Sequence, residues 1–161
     1  DYVVYLDRAQ QAKFGHVDPQ HDNPFLQAVS KMVERMDANG DGVDEYVRIN
    51  SNDHFLIQGT DGDDNIVAGG GDDSAWGRKG NDRIEAGYGV DKIHGGEGDD
   101  VITNSGTDIG EVDMLHGEEG NDAIHGGSGL ALIFGNQGQD FIVAGPDGKE
   151  AFGGTGGDFI L

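Results

Sequence analysis

The chain has 161 residues, 31 of them acidic against 10 basic, and a formal net charge of −21. Acidity on that scale repels phosphate and excludes nucleic acid as a partner. The absence of cysteine excludes a disulfide framework and thiol chemistry, and no run of about twenty apolar residues offers a membrane span.

Tyr2–Leu6 is short and apolar and fits either a strand or a helix start. His16, Asp18, His21 and Asp22 lie close together, but no helical or strand spacing brings them to one point, so a solvated loop is expected. Asp18-Pro19 is a chemically labile bond, with nothing of a processing module beside it. Asn23, as N-cap, and Pro24, at the first helical position, open an amphipathic helix expected over 24–36. Its apolar face is Phe25, Leu26, Val29, Met32, Val33 and Met36, and it is expected to cap the C-terminal part of the chain.

Next comes Asp37-Ala38-Asn39-Gly40-Asp41-Gly42-Val43-Asp44-Glu45. Asp37, Asn39, Asp41 and Gly42 match positions 1, 3, 5 and 6 of an EF-hand-type loop. Val43 can offer its carbonyl, and Glu45 a carboxylate, directly or through water. Arg48 replaces the bidentate glutamate of position 12, so a calcium site and a plain Asx-rich turn both stay open. Val47 and Ile49, then Phe55 and Ile57, alternate as strands do. These segments make residues 1–58 a cap, distinct from the remainder of the chain.

Residues 59–161 repeat every nine residues, interrupted only by the four residues Asn104–Thr107. The sixth place is aspartate in nine of eleven units: Asp64, Asp73, Asp82, Asp91, Asp100, Asp113, Asp122, Asp140 and Asp158. The fourth place is glycine in nine of eleven, and the eighth is always apolar, from Ile66 to Ile160. A Gly-rich linker would not keep an isoleucine in phase. Each unit divides into a six-residue turn, as in Gly95–Asp100, and a three-residue strand with one inward side chain, as in Arg83-Ile84-Glu85.

This pattern resembles the G-G-x-G-x-D-x-U-x nonapeptide of RTX, or hemolysin-type, calcium-binding repeats. The resemblance implies an all-β fold: a right-handed parallel β-roll, two units per turn, here with an N-terminal helical cap. It also implies Ca2+ held between successive loops by sixth-place aspartates and backbone carbonyls. Odd units carry Asp64, Asp82, Asp100, Asp122, Asp140 and Asp158 in one unbroken ladder; even units carry Asp73, Asp91 and Asp113, then Ala131 and Lys149. About five ions are expected on the first side and about two on the second, the Asp91–Asp113 site being disturbed by the insertion and by Glu111 in place of glycine. With a thin core and so many like charges, metal binding and folding are expected to be one event.

RTX proteins are typically exported from Gram-negative bacteria by type I secretion, which implies an extracellular or cell-surface location. The chain opens without Met and closes on the last place of a unit, so both ends are expected to be cuts from a longer protein. The stretches Gly126–Gly135 and Gln139–Gly145 are similar to repeat regions attached to large bacterial haem peroxidases of the animal type, some associated with Mn(II) oxidation. Nothing here matches a peroxidase catalytic residue, and no nucleophile–base constellation is present. A surface adhesin remains open, whereas an ice-binding face would need a threonine ladder. His94 and His116 share the ninth place one turn apart and are expected to lie close together on the surface. Toward the C-terminus the outward places turn apolar: Phe141, Val143, Phe159 and Leu161 on one side, Leu132, Phe134 and Phe152 on the other. That face is expected to be covered by neighbouring domains, by further repeats or by self-association.

Overall fold

Nine residues hold one turn and one short strand, so the chain closes a full circuit every eighteen. The computed structural model describes residues 2–14, 32–105, 112–147 and 149–161. Its elements in chain order are β1 (Tyr2–Tyr5), α1 (Arg8–Phe14), β2 (Val33–Met36), β3 (Tyr46–Ile49), β4 (Phe55–Gln58), β5 (Asn65–Val67), β6 (Ser74–Lys79) and β7 (Arg83–Glu85). There follow β8 (Lys92–Glu97), β9 (Val101–Thr103), β10 (Val112–Glu119), β11 (Ala123–His125), β12 (Leu130–Gln137), β13 (Phe141–Val143), β14 (Glu150–Thr155) and β15 (Phe159–Ile160). Among the described residues no helix is long and apolar enough to cross a membrane.

From β3 onward successive strands alternate between two sheets. One has the order β1-β4-β6-β8-β10-β12-β14, the other β15-β13-β11-β9-β7-β5-β3-β2. Within each sheet the repeat strands are parallel and in register one circuit apart, Asn65 with Arg83 and Ser74 with Lys92. The insertion lengthens one circuit, pairing Lys92 with Met114, without shifting inward residues off the inward face: Ile93 still meets Leu115. The fold is therefore a parallel β-roll, as expected.

Its interior is two facing columns. Val47, Ile66, Ile84, Ile102, Ile124 and Ile142 come from one sheet; Ile57, Ala75, Ile93, Leu115 and Ile133 come from the other, all buried. In the last circuit the column opens: Ile160 is 45% exposed. A core one side chain deep has no lateral reserve, so stability has to come largely from what joins one circuit to the next.

The expected strands at Val47/Ile49 and Phe55/Ile57 are β3 and β4. They stack in parallel below β5 and β6, with Val47 opposite Ile66 and Ile57 opposite Ala75. Tyr2–Tyr5 resolves as a strand, parallel to β4. The helix expected over 24–36 requires correction at its end: Val33–Met36 is a strand, antiparallel to β3 with Val33 opposite Ile49. The apolar spacing of Met32, Val33 and Met36 satisfied a helical period, but Val33 and Arg35 also alternate. The ladder to β3, together with an ion pair from Arg35, decides for the strand. Asn23 to Ser30, with the start of that helix, and the His16–Asp22 cluster lie outside the described residues.

A short helix does stand at the N-terminal end, earlier than expected. Asp7 caps α1, its Oδ1 accepting from Ala9 N at 2.8 Å and Gln10 N at 3.2 Å. Gln11 ties α1 to β1, accepting from Tyr5 N and donating to Val3 O. The buried Asp44 joins these elements to the next, with Oδ1 2.7 Å from Arg8 Nη2 and Oδ2 2.6 Å from Arg35 Nε.

Candidate metal centre

The turns on both sides of the roll take left-handed backbone at the second and fourth places, which glycine tolerates and other residues do not. Three second places in odd units are nevertheless Arg78, Glu118 and Asn136, with φ of 89°, 84° and 77°. Each costs about 1–2 kcal/mol relative to a relaxed residue, so the loop shape is imposed by the stack rather than by glycine alone.

In every odd loop after the first the sixth-place carboxylate spans two circuits. Oδ1 accepts the backbone N–H of the aspartate one circuit below: Asp64 N to Asp82 at 2.8 Å, Asp82 N to Asp100 at 2.7 Å, Asp100 N to Asp122 at 2.9 Å, Asp122 N to Asp140 at 2.9 Å and Asp140 N to Asp158 at 3.1 Å. Oδ2 of Asp82, Asp100, Asp122 and Asp140 is buried, and no hydrogen-bond donor of the described residues reaches it. Leaving such an oxygen inside a protein is costly unless something positive meets it.

The glycines at place one show where these oxygens point. A Cβ at Gly77 would run into Asp82 Oδ2 and lie 2.5 Å from the carbonyl of Gly95; one at Gly95 would run into Asp100 Oδ2 and lie 2.7 Å from the carbonyl of Gly117. The same holds at Gly117 with Asp122 and Gly135 O, and at Gly135 with Asp140 and Gly153 O. Carboxylate and carbonyl oxygens of consecutive circuits thus face a shared space that even a methyl group would fill. This all-oxygen donor set suits a hard cation.

Burial pushes these carboxyls upward: Asp82 and Asp122 to about 7, Asp64 and Asp100 to about 6, and Asp140 in the same direction. Opposing hydrogen bonds from the backbone N–H groups do not offset the lost hydration. Asp64 differs in that Thr60 reaches its Oδ2 through both N–H (2.6 Å) and hydroxyl. Asp158, in the last circuit, is half-exposed.

Even units start the same way. Asp73 accepts from Phe55 N, Asp91 from Asp73 N and Asp113 from Asp91 N, at 2.8–2.9 Å. Asp73 Oδ2 is buried and unmet by the described residues, and burial pushes its carboxyl to about 8. Beyond Asp113 the ladder ends at Ala131 and Lys149.

The loop at 37–45 brings together Asp37, Asp41 and Glu45, one oxygen of each lying within 4.8 Å of the others. Asp37 accepts from Gly40 N and Gly42 N, and these bonds, Gly42 foremost, hold its carboxyl below the usual range. Asn39 Oδ1 accepts from Asp41 N at 2.8 Å, and Arg48 lies on β3.

Several working residues escaped the sequence reading. Asp44 looked like part of the loop but is a buried ion-pair hub. A second ladder runs along the exposed fifth place of odd units: Asn81 N donates to Asp63, Asp99 N to Asn81, Asn121 N to Asp99 and Gln139 N to Asn121, all within 2.7–2.9 Å. The alternation Asp63, Asn81, Asp99, Asn121, Gln139 was visible in the repeat and could have revealed it. His94 and His116 do lie together, ring centroids 4.8 Å apart, in a stack that runs from Trp76 through both to Phe134 and Phe152.

Fold and site together define a parallel β-roll whose turns are lined with oxygen ligands for a divalent cation. The pattern described as the RTX calcium-binding nonapeptide repeat (4 copies) matches residues 58–87, 76–108, 112–130 and 116–147, together more than half of the chain. The chain belongs to this family, and calcium is its metal; the repeats are a structural rather than a catalytic device. No curated protein and no solved structure matches it.

Proposed function

We propose that this chain is a calcium-folded module of a larger secreted protein, with residues 1–58 as its cap. Asp64, Asp82, Asp100, Asp122, Asp140 and Asp158 hold the ions together with the place-one carbonyls between them. The observation that carries this reading is the row of buried Oδ2 atoms of Asp82, Asp100, Asp122 and Asp140, each turned toward a carbonyl of the next circuit and met by no donor of the described residues. Bound calcium supplies the positive charge that these oxygens lack. The chain's own residues fix spacing through the Oδ1 ladder and keep the interior dry through the isoleucine column.

Function follows from this dependence. Where calcium is scarce, as inside a cell, the repeats of a chain with net charge −21 repel one another and stay open, a state suited to export. Where calcium is abundant, each independent site at a hundredfold excess over Kd adds about 2.7 kcal/mol to the folded state. The module then folds outside the cell and supports folding and stability of the protein it is joined to. The exposed stack of Phe141 on Phe159, rings 5.4 Å apart, is the face such a neighbour covers.

The loop at 37–45 extends the reading: Asp37, Asn39, Asp41 and Glu45 hold one further ion, favoured by the convergence of three carboxylates there.

The test is circular dichroism with EGTA and with millimolar calcium. A mostly disordered spectrum that converts cooperatively to β on calcium addition, and poorly on magnesium, is expected. Identical spectra in the two conditions would sink the proposal.

A further inference from the structure

The repeat treats both sides of the roll alike, but the residues filling the two sides do not. In odd units place one is always glycine: Gly59, Gly77, Gly95, Gly117, Gly135 and Gly153. That glycine leaves open the space into which Oδ2 and the next carbonyl turn. In three of the five even units the same place holds alanine, Ala68, Ala86 and Ala144, the first two fully buried, while Asp108 and Gly126 stand at the other two. Even-side turns have the same left-handed second and fourth places, as at Gly69, Gly71, Gly87 and Gly89. A methyl group at place one of such a turn projects into the space that the odd side keeps for oxygen.

Further along, the even side brings its own hydrogen-bond donors. Asn104, the first residue of the insertion, is buried, and its Nδ2 donates to Asp113 Oδ2 at 2.5 Å. An amide N–H thus meets the carboxylate oxygen that an ion would otherwise meet. In the last even unit the sixth place is Lys149, whose Nζ donates to the carbonyl of Gly129 at 2.6 Å. The Lys149 side chain lies across the turn: a Cβ at Gly126 would be 3.0 Å from its Cε, and one at Gly145 3.2 Å from its Nζ. An ammonium group inside an oxygen-lined turn is a cation supplied by the chain.

We propose that the roll is one-sided in its metal chemistry: calcium fills the odd side alone, while the even side is closed by methyl groups, the Asn104 amide and the Lys149 ammonium. This rests on the calcium reading above and narrows it, since the repeat pattern by itself allots ions to Asp73, Asp91 and Asp113 as well. The even side then forms a seam that does not need metal. Asp73 and Asp91 keep a claim to a cation there, because both carboxylates are buried and Asp73 Oδ2 meets no donor of the described residues, and the test falls on Asp73.

Asparagine keeps the Oδ1 acceptor and removes the charge, so Asp→Asn variants preserve each ladder while weakening any metal site. Calcium stoichiometry and midpoint would be measured by titration calorimetry on the whole chain, for Asp73→Asn and for Asp100→Asn. Asp73→Asn is expected to bind as many ions as the parent with a midpoint within twofold. Asp100→Asn is expected to lose at least one ion and to raise the midpoint severalfold. Equal losses in the two variants would overturn one-sidedness and leave the calcium reading standing; no change in either would overturn the calcium reading itself. Should a variant fail to fold, terbium-soaked crystals of the parent chain decide. Anomalous peaks along Asp82–Asp140 and none beside Ala68, Ala86 or Lys149 support the proposal, and a peak between the Ala68 and Ala86 turns refutes it.

Discussion

The N-terminal circuit and the repeats solve one electrostatic problem in two ways. Both bury carboxylates. Asp44 is completely buried, and it is met by two guanidinium groups of the chain, Arg8 and Arg35. Asp82, Asp100, Asp122 and Asp140 are buried just as deeply, and their Oδ1 atoms meet only a backbone N–H. A buried anion needs a counter-charge. Where the sequence encodes it, structure should form unaided; where the sequence leaves it to solution, folding should be conditional. The difference lies in which circuit owns its cations, not in strand propensity.

The largest effect expected from this contrast is regional. On chelation, hydrogen exchange should become fast at Asp82, Asp100 and Asp122 while Leu6 N, bonded to Gln58 O, and Asp44 N, bonded to Leu6 O, keep more protection. Uniform loss across both regions would erase the distinction. Next comes the ion pair itself. Arg35 is largely covered whereas Arg8 is half-exposed. In saturating calcium, Arg35→Ala should therefore cost about 3–5 kcal/mol in urea unfolding, as breaking a buried pair does. Arg8→Ala should cost about 1 kcal/mol or less, as for an exposed pair. Equal costs would mean that Asp44 is not the hub it resembles.

Within the repeats, Asp100→Ala removes a proposed ligand from the middle of the ladder, whereas Asp158 stands at the last circuit of this chain. The calcium midpoint should rise several times more for Asp100→Ala than for Asp158→Ala; equal shifts would contradict the pairing of ions between circuits.

Acidity supplies a further test. The folded, metal-free carboxyls titrate at about 6 to 8, above the roughly 4 of an unfolded aspartate. The folded state without metal therefore holds more protons than the unfolded chain. Its stability is greatest below about pH 4 and is lost as pH rises toward 8. In EGTA, lowering the pH from 8 to 5 should increase the β signal. With calcium the sign reverses, because ions and protons compete for the same oxygens: the midpoint should climb as pH falls over that range. A midpoint indifferent to pH would place the ions elsewhere. The smallest effect concerns the apolar face, where Phe141→Ser/Phe159→Ser should lower light scattering of the calcium-loaded chain without altering its β signal. Unchanged scattering would count against that face as an association surface.

The repeats were legible because period nine is enforced by geometry: each inward Ile and each ladder aspartate has its counterpart one circuit on, so sequence and structure share a ruler. The N-terminal region has no such ruler. Val33–Met36 satisfied a helical period and became a strand because a partner, β3, lay beside it, a long-range fact that local spacing does not carry. The α1 helix was overlooked although Asp7 is a good cap, since seven residues leave too few turns for a periodic signal. Sidedness was half legible: glycine at place one of every odd unit against alanine in three of the five even units stood in the sequence, but its meaning required knowing where Oδ2 points.

The Oδ1 ladder also has a direction. Every aspartate N–H in it reaches toward the next circuit, so the stack is polar in the way a filament is. Pulled from the C-terminus, the roll should unwind like rope from a capstan. Each released circuit of eighteen residues, the spacing from Asp64 to Asp82, yields roughly 60 Å of extended chain. Under tension the molecule should behave as a spring of discrete lengths, and on the calcium reading proposed above the calcium concentration around it should set the force at which each length lets go.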